Sequence, residues 1–291
     1  GDKFLLTSEA LKHALNHSLH IFMVQENARN FTYRYAGEVY DNPYLSDDGN
    51  SVSSKYNNVD HSQVAERSAT SPLLKGKGVG YQIMVASFAD SDGDGVGDIR
   101  GIFNSLDYLQ NLNVEAIWLT PVQLSDSYHA YDTIDYYNID PKFGSKMSPH
   151  AVGGKVTQES ANKDYAELVS AAKELGISVV MDLVINHTSI NNLLFQESLS
   201  LNPDFRAYYH WRNSKTNSNW YQYNNYNYYY YGKFASSMPE LNFDYQKTRD
   251  KIVDIMGHWI NIGVEGFRID AVKHAYMKEE VATSPGDKII P

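Results

Sequence analysis

ISVVMDLVINH, residues 177–187, is the stretch of this sequence that decides the fold. Residues 177–184 are apolar almost throughout, and such a run is typical of a strand in a parallel sheet that helices cover on both faces. Residues 160–176, immediately before it, have helical spacing and end at Gly176. The segment therefore predicts a helix followed by a buried strand.

The same alternation continues in both directions along the chain. Strands are predicted at 79–87, 114–120 and 264–270, and helices at 101–113 and 246–263. Strands and helices that alternate in this way form βαβ units around a parallel sheet, so the predicted fold class is α/β. The polar, tyrosine-rich stretch 187–245 is too long for an ordinary connection and predicts an inserted small domain.

The N-terminal third is irregular. Residues 8–30 have helical spacing, and residues 41–72, which are rich in Asn, Asp and Ser, are typical of a long loop or linker. The predicted organisation is therefore an unassigned region over 1–75, the first part of the α/β unit over 76–186, the insertion over 187–245, and the rest of the α/β unit over 246–291.

Composition excludes several classes of protein. The chain has 291 residues, of which 42% are hydrophobic, and a net charge of −10. That much apolar material excludes an intrinsically disordered chain. The acidic balance argues against nucleic acid as a partner, because a phosphate-binding face needs a surplus of Lys and Arg. No run approaches the roughly 18 apolar residues of a membrane span. The absence of cysteine excludes disulfides, a thiolate nucleophile and cysteine-ligated metals.

Polar side chains follow four of the predicted strands at their carboxyl ends, where parallel α/β folds carry their functional groups. The four stretches are ASFADSDGDGVGD after the first strand, SYHAYD (127–132) after the second, VINH at the end of the third, and FRIDAVKH (267–274) at the fourth. Because these ends meet at one edge of a sheet, the sequence predicts a single site built from all four.

The loop after the first strand alternates carboxylates with glycines: Asp90, Asp92, Asp94 and Asp98, with Gly93, Gly95 and Gly97 between them. Glycines allow a tight curl that aims several oxygens at one point, and hard oxygen ligands in that number suit Ca²⁺. The alternative is a solvated acidic turn. Calcium is favoured because clustered carboxylates repel one another without a cation.

Arg268 and Asp270 are two residues apart, so on a strand their side chains face the same side. A neighbouring cation keeps a carboxylate ionised, as a nucleophile requires, although a purely structural ion pair fits these two residues equally well. His187 follows a strand end, where a polar contact is the commoner role for a histidine. His129 and Tyr131 lie in a loop. An aromatic ring with a nearby hydrogen-bond donor suits sugar binding, and the alternative is ordinary loop packing.

Four segments together resemble the α-amylase family of (β/α)8 glycoside hydrolases. In the family's order they are YQIMVASFADSDGDGVGD (81–98), MDLVINH (181–187), MPELN (238–242) and GFRIDAVKH (266–274). The resemblance covers about Val79 to Tyr276. It implies a (β/α)8 TIM barrel, here with strands one to four only, and a domain B inserted over 187–245.

The resemblance also implies roles for individual residues. Asp270 would be the nucleophile, Arg268 its charge partner, and His187 a hydrogen-bonding group for the sugar at the cleavage point. The substrate-binding residues would be Tyr131, which stacks on that sugar, His129, which binds its 6-hydroxyl, and Lys273 and His274 on the reducing side.

Two calcium ions follow from the same resemblance. One would be held by the carboxylates of Asp90, Asp92, Asp94 and Asp98 with the carbonyl of Val96. The second would be held by Asn186, Glu240 and the carbonyl of His274. The acid at the position of Glu240 is more commonly Asp in the family.

The function implied is a retaining hydrolase of internal α-1,4 bonds in starch and maltooligosaccharides, in an extracellular or cell-surface location in a bacterium. A cytoplasmic location remains open. Two related activities, those of a 4-α-glucanotransferase and an oligo-1,6-glucosidase, and an inactive carbohydrate-binding fragment are the alternatives. SYHAYD and the Lys273–His274 pair favour the amylase over the 1,6-glucosidase but say little against the transferase.

The family's acid/base glutamate follows the fifth strand, and no strand pattern precedes Glu279, Glu280 or Asp287. The C-terminal half of the barrel is therefore expected elsewhere, in a longer protein or on a separate chain. Residues 1–291 alone are expected not to hydrolyse starch. Strands one and four of such a half-barrel are expected to expose their edges.

Overall fold

A computed structural model describes residues 20–23 and 78–275 of the chain. Its centre is a five-stranded, wholly parallel sheet in the order β1-β10-β6-β3-β2. The strands are β1 (His20–Met23), β2 (Gly80–Ile83), β3 (Ala116–Leu119), β6 (Ser178–Leu183) and β10 (Gly266–Ile269). The four strands predicted from the sequence are thus adjacent in the sheet, in chain order from β2 to β10.

Helices connect these strands, as the alternating pattern predicts. They are α1 (Val85–Phe88), α2 (Ile99–Asn104), α3 (Leu106–Asn111), α4 (Gln158–Glu174) and α7 (Gln246–Ile262). A capping box between Thr157 and Ser160 begins α4, and Gly263, with φ at +116°, ends α7. The helix predicted over 101–113 is two helices separated at Ser105, whose hydroxyl donates to the carbonyl of Gly101 at 2.8 Å.

The core lies between the sheet and these helices. All six residues of β6 are buried, as its apolar sequence predicts. Trp259 of α7 packs edge-on against Tyr165 of α4 with ring centroids 5.4 Å apart, and its indole N–H donates to the carbonyl of Tyr136 at 2.8 Å. This one side chain therefore joins both long helices to the chain between β3 and β6.

Two antiparallel units stand on the carboxyl side of the sheet. The hairpin β4 (Gln123–Ser125) and β5 (Thr133–Ile139) carries the 127–132 loop, and its strands were not predicted. The stretch 187–245 contains α5 (Leu193–Ser198), α6 (Pro203–Arg206) and a three-stranded sheet in the order β7-β9-β8. The strands of that sheet are β7 (Trp211–Arg212), β8 (Trp220–Gln222) and β9 (Tyr229–Tyr231).

The N-terminal region contributes β1, which pairs with β10 in parallel register, His20 opposite Gly266 and Met23 opposite Ile269. The helix predicted over 8–30 is therefore wrong at residues 20–23, where sheet pairing overrides a local helical pattern. The edge of the fourth barrel strand, expected to be exposed, is covered by β1. The linker predicted over 41–72 lies outside the described residues. Within the part of the chain that is described, no helix has the length and apolarity needed to cross a bilayer.

We expect Gly101→Ala to destabilise the fold more than Gly153→Ala. A Cβ at Gly101 would lie 2.0 Å from the carbonyl oxygen of Ala89, so α2 would have to move away from α1. Gly153, with φ at +61° and open space around it, incurs only the left-handed backbone penalty of about 1–2 kcal/mol. Urea unfolding of both variants measures the difference, and an equal loss would contradict the steric argument.

Candidate active site

The carboxyl ends of the parallel strands bring an arginine and two carboxylates together. Arg268 of β10 lies directly opposite Asp182 of β6 in the sheet register. Its Nη1 is 3.0 and 3.2 Å from the two carboxylate oxygens of Asp182 and 2.7 Å from Oδ1 of Asp270. The predicted Arg268–Asp270 pair is therefore present, and it is part of a triad that includes Asp182.

Asp182 is the part of this triad that the sequence analysis did not identify. The carboxylate is fully buried, and it accepts hydrogen bonds from the indole N–H of Trp118 at 3.1 Å and the hydroxyl of Tyr131 at 3.4 Å. Burial raises the pKa of Asp182 to about 7, against the opposing effect of Arg268. The available signal was an acid inside an otherwise apolar strand, because such a residue is rarely buried without a partner.

Asp270 differs from Asp182 in its access to solvent. Its side chain is 23% exposed, while its backbone N–H donates to the carbonyl of Leu183 at 3.4 Å. The next residue, Ala271, has φ at +48°, so the chain turns sharply from β10 into the 3-10 turn Val272–His274. This left-handed residue leaves the Asp270 carboxylate at the open end of the strand, where a substrate could reach it.

The 127–132 loop stands beside the triad. The Tyr131 ring is 6.0 Å from the Arg268 guanidinium, and burial together with Asp182 raises the pKa of Tyr131 above its ordinary value. The N–H of Tyr131 donates to Nδ1 of His129 at 3.1 Å, so the proton of a neutral His129 ring is on Nε2. Ala130 between them has φ at +63°. The loop thus presents an aromatic ring beside the carboxylates and a nearby N–H donor.

His187 lies beneath this loop. It is 2% exposed, and burial lowers its pKa to about 4, so the ring is neutral at neutral pH. Its Nε2 lies 3.0 Å from the carbonyl of Tyr131, and its Nδ1 lies 3.3 Å from the Asn186 amide nitrogen. Both ring nitrogens therefore have protein partners, and His187 fixes the backbone of Tyr131 in place.

Asn186 and Glu240 join the two ends of the insertion. The Asn186 amide donates to Glu240, the backbone N–H of Lys233 donates to the same carboxylate at 3.1 Å, and His187 and Glu240 form a β-bridge. Oδ1 of Asn186 is buried and has no hydrogen-bond partner among the described residues. An orphaned oxygen beside a carboxylate fits the donor set of a hard cation.

Phe234 is a second residue that sequence reasoning missed. Its side chain is 49% exposed, and its ring centroid lies 5.2 Å from that of His187 and 5.6 Å from that of His274. The predicted subsite residue His274 is thus placed near His187 through a shared aromatic neighbour. Lys273 belongs to the 3-10 turn Val272–His274. No sequence signal singles out Phe234, because its two contacts come from distant parts of the chain.

The acidic loop after β2 gathers three of its four carboxylates. Oxygens of Asp90, Asp92 and Asp98 lie within 4.8 Å of one another. Asp90 accepts the backbone N–H groups of Gly93 and Gly95 at 2.7 and 2.8 Å, which lower its pKa. Asp94 is outside the group, 3.9 Å from Nζ of Lys146, and accepts from the N–H of Val96 at 2.9 Å. Three clustered hard oxygens fit a calcium ion.

A second group of potential metal ligands in the described structure consists of His150, Asp164 and Glu167. Here the Arg100 guanidinium bridges Asp164 and Glu167, the latter at 2.6 Å. The cation already present neutralises these carboxylates, so this group is an ion-pair network between α2 and α4 rather than a metal site.

The carboxyl ends of the parallel strands thus combine an arginine-held carboxylate with an aromatic loop, an arrangement that a carboxylate-dependent glycosidase of the α/β-barrel class would use. Residues 82–289 match the family model of the alpha-amylase catalytic domain. The chain therefore belongs to the α-amylase family of glycoside hydrolases, and its parallel sheet is part of the family's barrel.

Several relatives show the range of this family. The chain is 43% identical over 200 residues to alpha-amylase 3 of Dictyoglomus thermophilum, covering 67% of this chain and 36% of that protein. It is 35% identical over 206 residues to a 4-alpha-glucanotransferase of Thermotoga maritima, covering 67% and 43%. An oligo-1,6-glucosidase of Heyndrickxia coagulans is 36% identical over 211 residues, covering 67% and 35%. The chain thus spans less than half the length of these relatives.

Solved structures agree with this assignment. Amy13B of Eubacterium rectale superposes with a TM-score of 0.59 at 33% identity, over 69% of this chain and 39% of that one. A trehalose-6-phosphate hydrolase of Bacillus licheniformis superposes with a TM-score of 0.58 at 33% identity, over 66% and 34%. The relatives carry the names of enzymes of different specificity, so the fold alone does not select one substrate.

The buried Asp182 should make stability depend on pH in a defined direction. The pKa of Asp182 is raised from an ordinary value of 3.8 to about 7 in the folded protein. As pH rises, the unfolded chain therefore loses this proton at a lower pH than the folded chain does. The free energy of unfolding accordingly falls as pH rises from about 4 to 7. Asp182→Asn keeps the shape and cannot ionise. We expect wild type to lose stability relative to Asp182→Asn between about pH 4 and 7.

Urea unfolding at several pH values measures this difference, with the exposed Asp254→Asn as a matched control that should follow wild type. A parallel pH dependence in wild type and Asp182→Asn would show that burial does not hold the Asp182 proton.

Proposed function

We propose that the complete protein is a retaining glycoside hydrolase that cleaves internal α-1,4 bonds of starch and related α-glucans. The observation that carries this proposal is the Asp270 carboxylate, which is held 2.7 Å from Arg268 and open to solvent beside the Tyr131 ring. The 43% identity to an alpha-amylase supports the α-1,4 specificity.

In this mechanism Asp270 attacks the anomeric carbon while the bond to the leaving oxygen breaks and a general acid protonates that oxygen. Water then hydrolyses the glycosyl ester in the second displacement, and the acid, now a base, takes its proton. Retaining enzymes keep the two carboxyl groups about 5–5.5 Å apart. Arg268, 2.7 Å from Asp270, balances the charge of that carboxylate.

Asp182 is not the general acid, although a pKa of about 7 would suit one. It is fully buried and hydrogen-bonded to Trp118 and Arg268, so it cannot reach a leaving oxygen. The proposal assigns this role to a residue outside 20–23 and 78–275, in the part of the barrel for which the longer relatives have additional chain. That part would be the rest of the same protein or a separate polypeptide.

The substrate would lie across the ends of β3, β6 and β10. Tyr131 would stack on the sugar at the cleavage point, and Nε2 of His129 would donate to one of its hydroxyls. Phe234 would add a second apolar surface, with His274 and Lys273 on the reducing side. His187 would act mainly by holding the Tyr131 loop, because a hydrogen bond to the sugar requires its Nε2 to leave the Tyr131 carbonyl.

Calcium is part of the proposal. Asp90, Asp92 and Asp98 would supply carboxylate ligands, and Asp94 and the Val96 carbonyl would complete the set. Asp98 also caps α2 through the N–H of Gly101 at 2.7 Å, so an ion there would stabilise the start of that helix. A second ion would use the unpaired Oδ1 of Asn186, with Glu240 and the His274 carbonyl.

The relatives define the main rival. A 4-alpha-glucanotransferase shares 35% identity with the chain, and such an enzyme passes the glycosyl group to a sugar hydroxyl instead of water. Product analysis on maltoheptaose separates the two, since a transferase makes products longer than the substrate. The proposed polymeric substrate does not cross membranes, which favours an extracellular or cell-surface location.

In the full-length enzyme, Asp270→Asn should abolish starch hydrolysis while the melting temperature stays near that of wild type. A neutral amide can neither attack the anomeric carbon nor balance an oxocarbenium charge. Reducing-sugar release from soluble starch measures the loss, and the exposed Asp107→Asn provides a matched control that should keep full activity. More than a trace of turnover in Asp270→Asn would mean that another residue is the nucleophile.

Removal of calcium should lower the melting temperature of the protein. A ligand at one hundred times its dissociation constant stabilises the folded state by about 2.7 kcal/mol. Asp92→Asn should reduce the response to a chelator to the part contributed by the second ion, whereas Glu167→Gln, in the Arg100 network, should keep the full response. Thermal melting with and without EDTA tests both, and a chelator response as large in Asp92→Asn as in wild type would place the first ion elsewhere.

A further inference from the structure

The inserted domain carries an aromatic surface that the active site does not use. Residues 217–232 contain seven tyrosines between Tyr221 and Tyr231, three asparagines within 224–227, and no charged residue. Five of these tyrosines are half-buried, namely Tyr221, Tyr223, Tyr226, Tyr228 and Tyr229, while Asn224, Asn225 and Asn227 are exposed. We call the half-buried pair Tyr226 and Tyr228, with Asn225 and Asn227, the tyrosine platform.

A buried cation supports the platform from below. The Arg206 guanidinium lies 4.5 Å from the ring centroid of Trp211 and 4.3 Å from that of Tyr228, and it donates to the Tyr226 hydroxyl at 2.9 Å. Arg206 is buried, and its Nε and Nη2 have no hydrogen-bond partner in the described part of the chain. The cation thus lies over the Tyr228 ring, and Tyr228 itself remains partly exposed to solvent.

This arrangement fixes the rings before any ligand arrives. The rings of Tyr226 and Tyr228 are 5.6 Å apart, and Tyr226 also packs edge-on against Trp211 at 5.6 Å. A ring held by a cation and by a neighbouring ring loses little rotamer freedom when it binds something. Burying a cation without a carboxylate partner is unfavourable for stability. The stack is therefore better explained as a preorganised binding surface than as packing that stabilises the fold.

The chemistry of the platform selects the ligand. A pyranose ring has an apolar face that packs on an aromatic ring and hydroxyl groups at its edges that hydrogen-bond to amides. The platform offers both, and the lack of charge over 217–232 disfavours a phosphate-bearing or strongly ionic partner. Two adjacent, tilted rings suit consecutive sugars of a curved chain.

We propose that the tyrosine platform is a second, non-catalytic binding site for α-1,4-glucan. This inference rests on the proposed function, because it assumes that the polymer bound at the platform is the polymer cut at Asp270. The ring contacts of Tyr226 and Tyr228 are with Arg206, Trp211 and each other, and none of these is an active-site residue. The platform would hold a long chain on the enzyme between cuts.

The test uses the full-length protein with the background substitution Asp270→Asn, so that the polymer is not consumed. Affinity electrophoresis in gels containing soluble starch gives the dissociation constant. The double substitution Tyr226→Ala and Tyr228→Ala should weaken starch binding about tenfold, equivalent to about 1.4 kcal/mol. Tyr228→Phe should bind like the parent because it keeps the ring. Tyr108→Ala, which removes an exposed tyrosine on α3, is the matched control and should have no effect.

In the otherwise active enzyme, the same double substitution should leave kcat/KM on a short chromogenic maltotrioside unchanged, since that substrate cannot span both sites. Starch binding that is unaffected in a double variant with native melting overturns the inference. If that variant melts early, Asn225→Ala with Asn227→Ala decides instead, and unchanged binding there also overturns it. Failure of the proposed function has a separate signature: Asp270→Asn would still hydrolyse starch, whatever the platform binds.

Discussion

The contact on which the rest of the site depends is the sharing of one guanidinium by two carboxylates. Arg268 faces Asp182 across the sheet and Asp270 along its own strand, and its Nη1 lies within 3.2 Å of both. Because the first carboxylate is buried and the second is open, the same cation contacts an acid inside the sheet and the acid at its surface that is proposed as the nucleophile. Adjacent parallel strands in register are what make this geometry available.

The stretch 187–245 is joined to this centre near its two ends. The β-bridge between His187 and Glu240 and the hydrogen bond from Asn186 connect the start of the insertion to its end. Between these ends, the stretch is held by aromatic packing around Phe195, Trp211 and Tyr230, with the ring centroids of the first two 5.7 Å apart. The stretch 187–245 therefore places Phe234 beside His187 and His274 without contributing a strand to the parallel sheet.

The sequence predicts those parts of the structure that follow local periodicity. The strands β3, β6 and β10 and the helices α4 and α7 were predicted to within a few residues, and the two-residue spacing correctly placed Arg268 beside Asp270. The strand predicted over 79–87 is wrong in its second half, because β2 ends at Ile83 and α1 begins at Val85. What depended on tertiary contact was missed. The roles of Asp182 and Phe234 arise from neighbours far along the chain. The strand at 20–23 depends on its pairing with β10, a contact that a local helical pattern cannot reveal.

Two alanines at the candidate active site have left-handed backbone angles. Ala130 precedes Tyr131 and has φ at +63°, and Ala271 follows Asp270 and has φ at +48°. Glycine adopts these left-handed backbone angles freely, whereas alanine adopts them only at a cost in energy. Compared with glycine, alanine at these positions lowers the conformational entropy of the unfolded chain. It also adds backbone strain to the folded loop. In the proposed enzyme, the conformation of these two loops would therefore be set when the chain folds rather than when a sugar binds.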